Sequence, residues 1–158
     1  MVLGNMAIWR CGIEQWKEFW PNFSVVWESE HRLEVQPKEI DSGEINTLAY
    51  QAWEQAGLLS IITTRLDKEL VGYFVCVYMP YVNFTQHFCC FSMLYYVRKP
   101  WRGLGIGTVL LDKVESVAAV RGASAIFVGA KTDLPYIDFF RHKNYKPHEL
   151  MLYKWLGD

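Results

Sequence analysis

The feature that most constrains this chain is the stretch from Leu70 to Val97, which contains no Asp, Glu, Lys or Arg. A stretch of this kind is either a membrane span or a set of buried strands. Pro80, Asn83 and the polar residues 85–87 interrupt its middle, and both flanks are rich in Val, Tyr, Phe and Cys. These flanking residues favour strands. We therefore expect two buried strands joined by a turn.

A cluster of glycines, Gly103, Gly105 and Gly107, follows the second of these strands and directly precedes a helical pattern. Glycine inside an element lowers stability, so the cluster indicates a close backbone approach or an unusual backbone angle. A helix start carries unpaired N–H groups and a partial positive charge, and can hold a phosphate. The segment lacks the lysine of a P-loop and the G-x-x-G spacing of the dinucleotide motif. A glycine-rich turn without a ligand remains the alternative.

The remaining patterns predict one mixed α/β domain with a strand–helix–strand crossover in its second half. A first helix contains Ile13, Trp16, Phe19 and Trp20 and stops at Pro21, and the segment 22–43 stays unassigned. The other predicted elements are a helix over 44–56 that buries Ile45, Leu48, Ala49, Ala52 and Trp53, strands over 58–66, 70–79 and 87–97, a helix closed by Gly122, a strand over 124–130, a helix over 134–143 and a final strand over 148–156.

Composition narrows the classes of function. A net charge of −1 and a pI near 6.4 provide no general basic field, which argues against nucleic acid as a partner. The four cysteines lack zinc-site spacing, so we predict no metal site and interpret them as reduced core thiols of a cytosolic protein. The first residues lack the apolar run of a signal peptide, so we expect a cytoplasmic protein without a membrane partner.

The segment "RGLGIG", Arg102–Gly107, matches the R/Q-x-x-G-x-G/A motif of the GNAT acetyltransferase superfamily, and "YYVRKPWRGLGIGTVLLDKVE" resembles the family's whole strand–loop–helix segment. "YIDFFRHKNYKPHELMLYKWL" resembles its closing helix and strand. The resemblance covers residues 44–156 as a coenzyme-binding core, after a variable N-terminal helical region, 1–43. It implies a mostly antiparallel sheet with a β-α-β crossover. A looser resemblance to small acetyltransferase-like proteins of tailed bacteriophages implies the host cytoplasm as location.

The resemblance implies acetyl-CoA as coenzyme and an amine of a small molecule or protein as acceptor, with a second copy or a virion component as further partners. The glycine loop would hold the pyrophosphate, and the end of the motif strand would pair with the pantetheine arm. The residues implied to contact the coenzyme are Tyr95, Tyr96, Val97, Arg102, Gly103, Leu104, Gly105, Ile106, Gly107, Thr108, Asp133 and Phe140.

The catalytic groups are less clear. Many relatives place a carboxylate on the motif strand, but this chain has no Asp or Glu between Leu70 and Leu111. His87 and Ser92 are the remaining candidates there. The family's tyrosine acid corresponds to Phe140, which cannot donate a proton, so Tyr136 is the candidate substitute, with a packing role as its alternative. We therefore keep two hypotheses, an N-acetyltransferase and a catalytically inactive GNAT-like binding or structural protein.

Overall fold

The computed structural model describes residues 9–35, 40, 43–132 and 134–157. It consists of a five-stranded sheet with helices on both faces. The elements in chain order are β1 (Trp9–Glu14), α1 (Trp16–Val26), a π-helical segment (Trp27–His31), α2 (Arg32–Glu34), α3 (Thr47–Gln55), β2 (Leu59–Leu66), β3 (Glu69–Tyr81), β4 (Phe84–Val97), a 3₁₀ turn (Lys99–Trp101), α4 (Ile106–Val120), β5 (Ala125–Phe127) and α5 (Tyr136–His142).

The strands lie in the order β1-β2-β3-β4-β5. The first four pair antiparallel, whereas β5 pairs parallel with β4. The charge-free stretch forms β3 and β4, and its residues Tyr73–Tyr78 are fully buried. Helix α4 connects the two parallel strands β4 and β5. The predicted pair of strands and the predicted crossover are both confirmed. The expected burial holds for β3, whereas β4 is buried only at Cys89, Cys90 and Tyr96 and is exposed at its start.

The sheet separates two hydrophobic cores, because successive side chains of a strand point to opposite faces. On one face α1 buries Trp16, Phe19 and Phe23, and the rings of Phe19 and Phe23 meet Tyr73 edge-on. On the other face Leu110 of α4 is buried in the same cluster as side chains of β3 and Phe140 of α5. The two faces of β4 therefore face different helices, which determines where its tyrosines lie.

The N-terminal region differs from the prediction. Residues 9–14 form β1, so Ile13 lies in an edge strand with 59% of its surface exposed. Pro21 does not stop α1, which continues to Val26 and is followed by the π-helical segment and α2. Burial of Phe23 and Val26 beyond the proline offsets the loss of one backbone hydrogen bond. Helical structure therefore extends through much of the unassigned segment.

The predicted buried face of α3 is also partly wrong. Leu48 is 76% exposed and Ala52 is exposed, whereas Tyr50 is buried. Asn46 accepts a hydrogen bond from the N–H of Ala49 and begins the helix. This register directs Tyr50 towards α1, where its ring stacks on Trp16 with centroids 5.0 Å apart.

The predicted final strand is wrong in the described structure. Residues 146–157 form no strand, and Leu150, Met151 and Leu152 are exposed. A strand needs a backbone partner in addition to suitable side chains. The neighbouring β5 is three residues long instead of the predicted strand over 124–130, and offers little edge for pairing.

Candidate functional site

The glycine loop joins the end of β4 to α4. Gly105 is the N-cap of α4 and has the left-handed φ of +81°, and no described side chain caps the helix. The first helical hydrogen bond runs from the N–H of Val109 to the carbonyl of Gly105. The N–H groups of residues 106–108 therefore lack intrahelical acceptors and lie at the positive end of a 15-residue helix.

Open space lies over this loop. A Cβ atom added to Gly103 or Gly105 would meet nothing within 4 Å. The side chain of Leu104 between them is 64% exposed. The loop in front of the helix start thus leaves space that an anion can enter, and an uncapped helix start favours an anion.

A second part of the site is the place where β4 and β5 separate. Their pairing covers only Cys89–Phe91 and Ala125–Phe127. Beyond it, residues 92–97 of β4 have no strand partner on this side among the residues that the structure describes. Ser92 lies at this point, next to a bulge at Met93. On this edge the carbonyl of Val97 accepts a hydrogen bond from Arg102, and the other edge-facing backbone groups of Tyr95–Val97 are available to an extended ligand.

Arg102, the first residue of the glycine motif, forms a two-pronged ion pair with Glu34 of α2. Its Nη1 lies 2.7 Å from Oε1 of Glu34, and its Nη2 donates to Oε2 at 2.7 Å. Its Nε donates to the carbonyl of Val97 at 2.8 Å. The guanidinium group lies 5.3 Å from the centre of the Tyr96 ring. The motif arginine is therefore held between the end of β4 and α2.

Glu34 is also the acceptor for two tyrosines. The Tyr96 hydroxyl donates to it at 2.8 Å, and the Tyr136 hydroxyl of α5 donates to it at 3.2 Å. Burial raises the pKa of Glu34, but the hydrogen bonds from Arg102 and the tyrosines outweigh this and keep it below its usual value. Burial, followed by the charge of Glu34, raises the pKa of Tyr136. Glu34 is thus a charged group shared by the glycine loop, β4 and α5.

His31, one turn before Glu34, extends this network into the core. Its ring stacks on Tyr96 with centroids 4.3 Å apart, and its Nδ1 is hydrogen-bonded to the Tyr73 hydroxyl at 2.5 Å. Burial lowers the pKa of His31 to about 4, with Glu34 opposing the effect. The histidine is therefore neutral at physiological pH.

The opposite face of β4 carries an aromatic group under the loop. The Tyr95 ring lies against Phe139 and Phe140 of α5, with centroids 6.1 and 5.5 Å away. Tyr136 meets it edge-on at 6.2 Å. Burial raises the pKa of Tyr95 to about 12. Phe140 is buried, and its contacts are those of a packing residue.

The structure brings some of the predicted site residues close to one another and leaves others apart. Arg102–Thr108, Tyr95–Val97, Tyr136 and Phe140 surround the junction of β4, α4 and α5. His87 is exposed near the β3–β4 turn, and ten residues of strand place it about 30 Å from Val97. Asp133 lies outside the described residues.

Sequence reasoning missed His31 and Glu34. Both fall in the segment 22–43, to which the sequence patterns assign no element. Their spacing of three residues is the available signal, because it places two side chains on one face of a helix. Their partners, Tyr73 and Tyr96, are 42 and 62 positions away from them, so no local pattern indicates the contacts.

Comparison with known proteins identifies the family to which this chain belongs. The family model described as the acetyltransferase (GNAT) family matches residues 14–144. The chain belongs to the GNAT acetyltransferase family. Members of this family use acetyl-CoA, and the open, uncapped helix start fits the diphosphate of that coenzyme. A search of curated protein sequences found no significant match.

Solved structures resemble this GNAT chain over almost its whole length. An aminoglycoside acetyltransferase from an uncultured soil sample is 17% identical, with a TM-score of 0.72 and coverage of 96% of this chain and 99% of that one. Glucosamine-6-phosphate N-acetyltransferase from Arabidopsis thaliana is 7% identical, with a TM-score of 0.72 and coverage of 95% and 99%. Ribosomal-protein-alanine N-acetyltransferase from Brucella melitensis is 17% identical, with a TM-score of 0.64 and coverage of 96% and 100%. The TM-scores and coverages show a shared fold, and at these low identities they show the fold alone.

Within the described residues no cluster of three or more His, Cys, Asp or Glu side chains could hold a metal ion. None of the helices in the described ranges has the length and apolar character needed to cross a membrane.

Proposed function

We propose that this GNAT protein is an acetyl-CoA-dependent N-acetyltransferase that transfers an acetyl group to an amine of a small molecule or protein. The observation that carries the proposal is made on the described ranges of the chain: the start of α4 behind Gly105 has no side-chain cap, and the adjoining edge of β4 has no strand partner. One feature binds an anion and the other binds an extended chain, and acetyl-CoA contains both a diphosphate and an extended arm. The family membership supplies the reaction class.

The binding residues act through their backbone. The N–H groups of Gly103, Gly105 and residues 106–108 would hold the diphosphate, with Arg102 beside them and Leu104 at the rim of the loop. The backbone of Tyr95–Val97 would align the arm between β4 and β5. Phe140 would support this wall by packing on Tyr95.

When bound, acetyl-CoA supplies an acetyl group activated as a thioester. An alkyl ammonium group has a pKa near 10.4, so the acceptor must release a proton to water before its free amine attacks the thioester carbonyl. The C–N bond then forms as the C–S bond breaks, and the new amide nitrogen gives up its extra proton. Tyr136 would return a proton to the leaving thiolate. The raised pKa of its hydroxyl keeps it protonated at neutral pH. Ser92, where β4 and β5 separate, would contact the reacting group, whereas the remote position of His87 argues against a direct role for it.

The test has a binding arm and a turnover arm. Acetyl-CoA should raise the midpoint of thermal unfolding by an amount that grows with coenzyme concentration. A panel of alkyl amines and lysine-containing peptides should then release free CoA from acetyl-CoA. Absence of any thermal shift at millimolar coenzyme would contradict the proposal.

A catalytically inactive binding or structural protein, such as a phage-particle component, is the second candidate. Buried Phe140 at the position of the family's acid and the absence of Asp and Glu from β4 favour it. This candidate predicts no release of CoA with any amine. Acetylation of a single physiological acceptor would reject it.

A further inference from the structure

Strand β1 lies at one edge of the sheet. It pairs with β2 along one side, and none of the other described strands pairs with its second side. An edge strand exposes a row of backbone N–H and C=O groups that another strand can bind. The six residues of β1 contain no proline, and their register with β2 has no bulge. The edge is therefore regular enough to accept a further strand.

The side of β1 that faces α4 is apolar. Trp9, Cys11 and Ile13 alternate along the strand, and Cys11 packs against the core cluster that contains α4. Trp9 and Ile13 are both exposed, as are Leu104 and Val109 at the start of α4. Trp9, Leu104 and Val109 line one groove of about 380 Å³. A partner seated on this edge would remove the apolar side chains from water.

The opposite side of β1 carries a charge near each end of the strand. Arg10 is exposed and lies opposite Arg65 of β2, which is a like charge. Glu14 accepts hydrogen bonds from Arg65 and from the hydroxyl group of Thr63. The hydrogen bond to Glu14 raises the pKa of Arg65, and the nearby charge of Glu18 contributes to the effect. Two carboxylates thus surround one guanidinium group at the end of β1, while a further arginine lies four residues earlier.

These two charges make the edge complementary to itself. Two β1 strands can pair antiparallel about a two-fold axis that passes through the sheet at Gly12, where an added Cβ atom would meet nothing within 4 Å. Arg10 of each copy then lies opposite Glu14 of the other copy on the charged side. Cys11 lies opposite Ile13 on the apolar side. A register shifted by one residue would instead place Arg10 opposite Ile13, so the pattern selects one pairing.

We propose that this protein forms a symmetric dimer in which the β1 strands of two copies pair antiparallel about Gly12 and join the two five-stranded sheets. A second copy fits better than a strand of another protein, because one edge supplies both members of every ion pair and every apolar pair. The proposal goes beyond the proposed function, since none of the candidate catalytic residues lies on β1. The cleft between β4 and β5 is at the other end of the sheet and stays open.

Sedimentation equilibrium of the full chain tests the oligomeric state. The wild-type protein should approach twice the chain mass of 18.5 kDa as its concentration rises. Arg10→Glu should raise the dissociation constant of the dimer about tenfold, because symmetry places two like-charge pairs in the interface. Arg141→Glu is the matched control, since it reverses the charge of an exposed arginine on α5 and should leave the constant unchanged.

Two results of this experiment would overturn the proposal. One is a wild-type protein that stays monomeric up to millimolar concentration, which would leave the edge to a strand of another protein. The other is a dimer whose dissociation constant is the same in Arg10→Glu as in the wild-type protein.

Gly12→Cys tests the register. Residues directly opposite in an antiparallel pair have Cα atoms about 4.5–5.5 Å apart, which lies within the range that a disulfide spans. With oxidised glutathione, Gly12→Cys should form a covalent dimer on a non-reducing gel. The wild-type protein, in which Cys11 is free, and Ser124→Cys, with an exposed thiol beside β5, should not. If Gly12→Cys sediments as a dimer without forming the disulfide, or if Ser124→Cys cross-links equally well, the proposed pairing is wrong.

Discussion

The hydroxyl group of Tyr95 lies 2.7 Å from the position that a Cβ atom would occupy on Gly107. Phe139 and Phe140 lie against the Tyr95 ring and restrict its movement away from Gly107. We predict that Gly107→Ala lowers the free energy of unfolding by about 1–3 kcal/mol through overpacking. Urea denaturation of the variant and the wild-type protein measures this difference.

The double variant Gly107→Ala/Tyr95→Phe is the matched control for that prediction. Removing the hydroxyl leaves Phe139, at 3.4 Å, as the nearest neighbour of the new methyl group. Most of the lost stability should return. If Tyr95→Phe does not rescue Gly107→Ala, the contact with Tyr95 is not the reason for glycine at this position.

The buried His31 should make stability depend on pH. Its pKa is about 4 in the folded protein against an ordinary value of 6.5, so below pH 6.5 the unfolded chain binds a proton that the folded protein does not. The stabilisation of the fold that comes from neutral His31 is complete above pH 6.5 and is lost as pH falls towards 4. Its loss between pH 7 and pH 5 should lower the free energy of unfolding by about 2 kcal/mol.

Urea denaturation at several pH values measures this dependence in the wild-type protein, in His31→Asn and in His142→Asn. The groups that surround His31 are Tyr73, Tyr96, Trp27, Glu34 and Arg102. His31→Asn should lose the additional slope between pH 7 and pH 5, and His142→Asn, which replaces a histidine exposed on α5, should retain it. Equal slopes in all three proteins would show that His31 is not held neutral.

Tyr136→Phe tests the proposed acid. The variant should lower kcat about 100-fold with the best amine of the panel, because the thiolate would leave without its proton donor. The affinity for CoA should change less than threefold. Tyr145→Phe is the control, since its hydroxyl donates to Glu115 at 3.1 Å. An undiminished kcat in Tyr136→Phe would assign the hydroxyl to packing and to holding Glu34.

The central part of the fold was predictable because its signals are local. The charge-free stretch predicts β3 and β4, and the glycine cluster predicts the turn into α4. Asn144 adopts a left-handed φ of +67° after α5, an angle that asparagine accepts more readily than most residues do. In each case neighbouring residues are sufficient to determine the backbone.

The polar network around Glu34 was not predictable in this way. Pro21 is a helix-stop signal that tertiary packing overrides, so the helical structure that carries His31 and Glu34 was missed. The prediction of a final strand over residues 148–156 was wrong for the opposite reason. Its side chains suit a strand, but the short β5 offers little backbone to pair with.

The most direct test of the account is CoA binding to variants of Gly105. Gly105→Asp would place a negative charge in the open space over the loop, whereas Gly105→Asn has nearly the same shape without the charge, and both residues tolerate left-handed angles. Gly122→Asp is the positional control, because Gly122 also has a φ of +81° and open space but follows the other end of α4.

Calorimetric titration measures the affinity of all three variants and the wild-type protein for CoA. The account predicts that Gly105→Asp weakens binding at least tenfold, equivalent to about 1.4 kcal/mol or more. Gly105→Asn should have a smaller effect, and Gly122→Asp none. If Gly105→Asp binds CoA as tightly as the wild-type protein does, the glycine loop does not hold the diphosphate and the account is wrong.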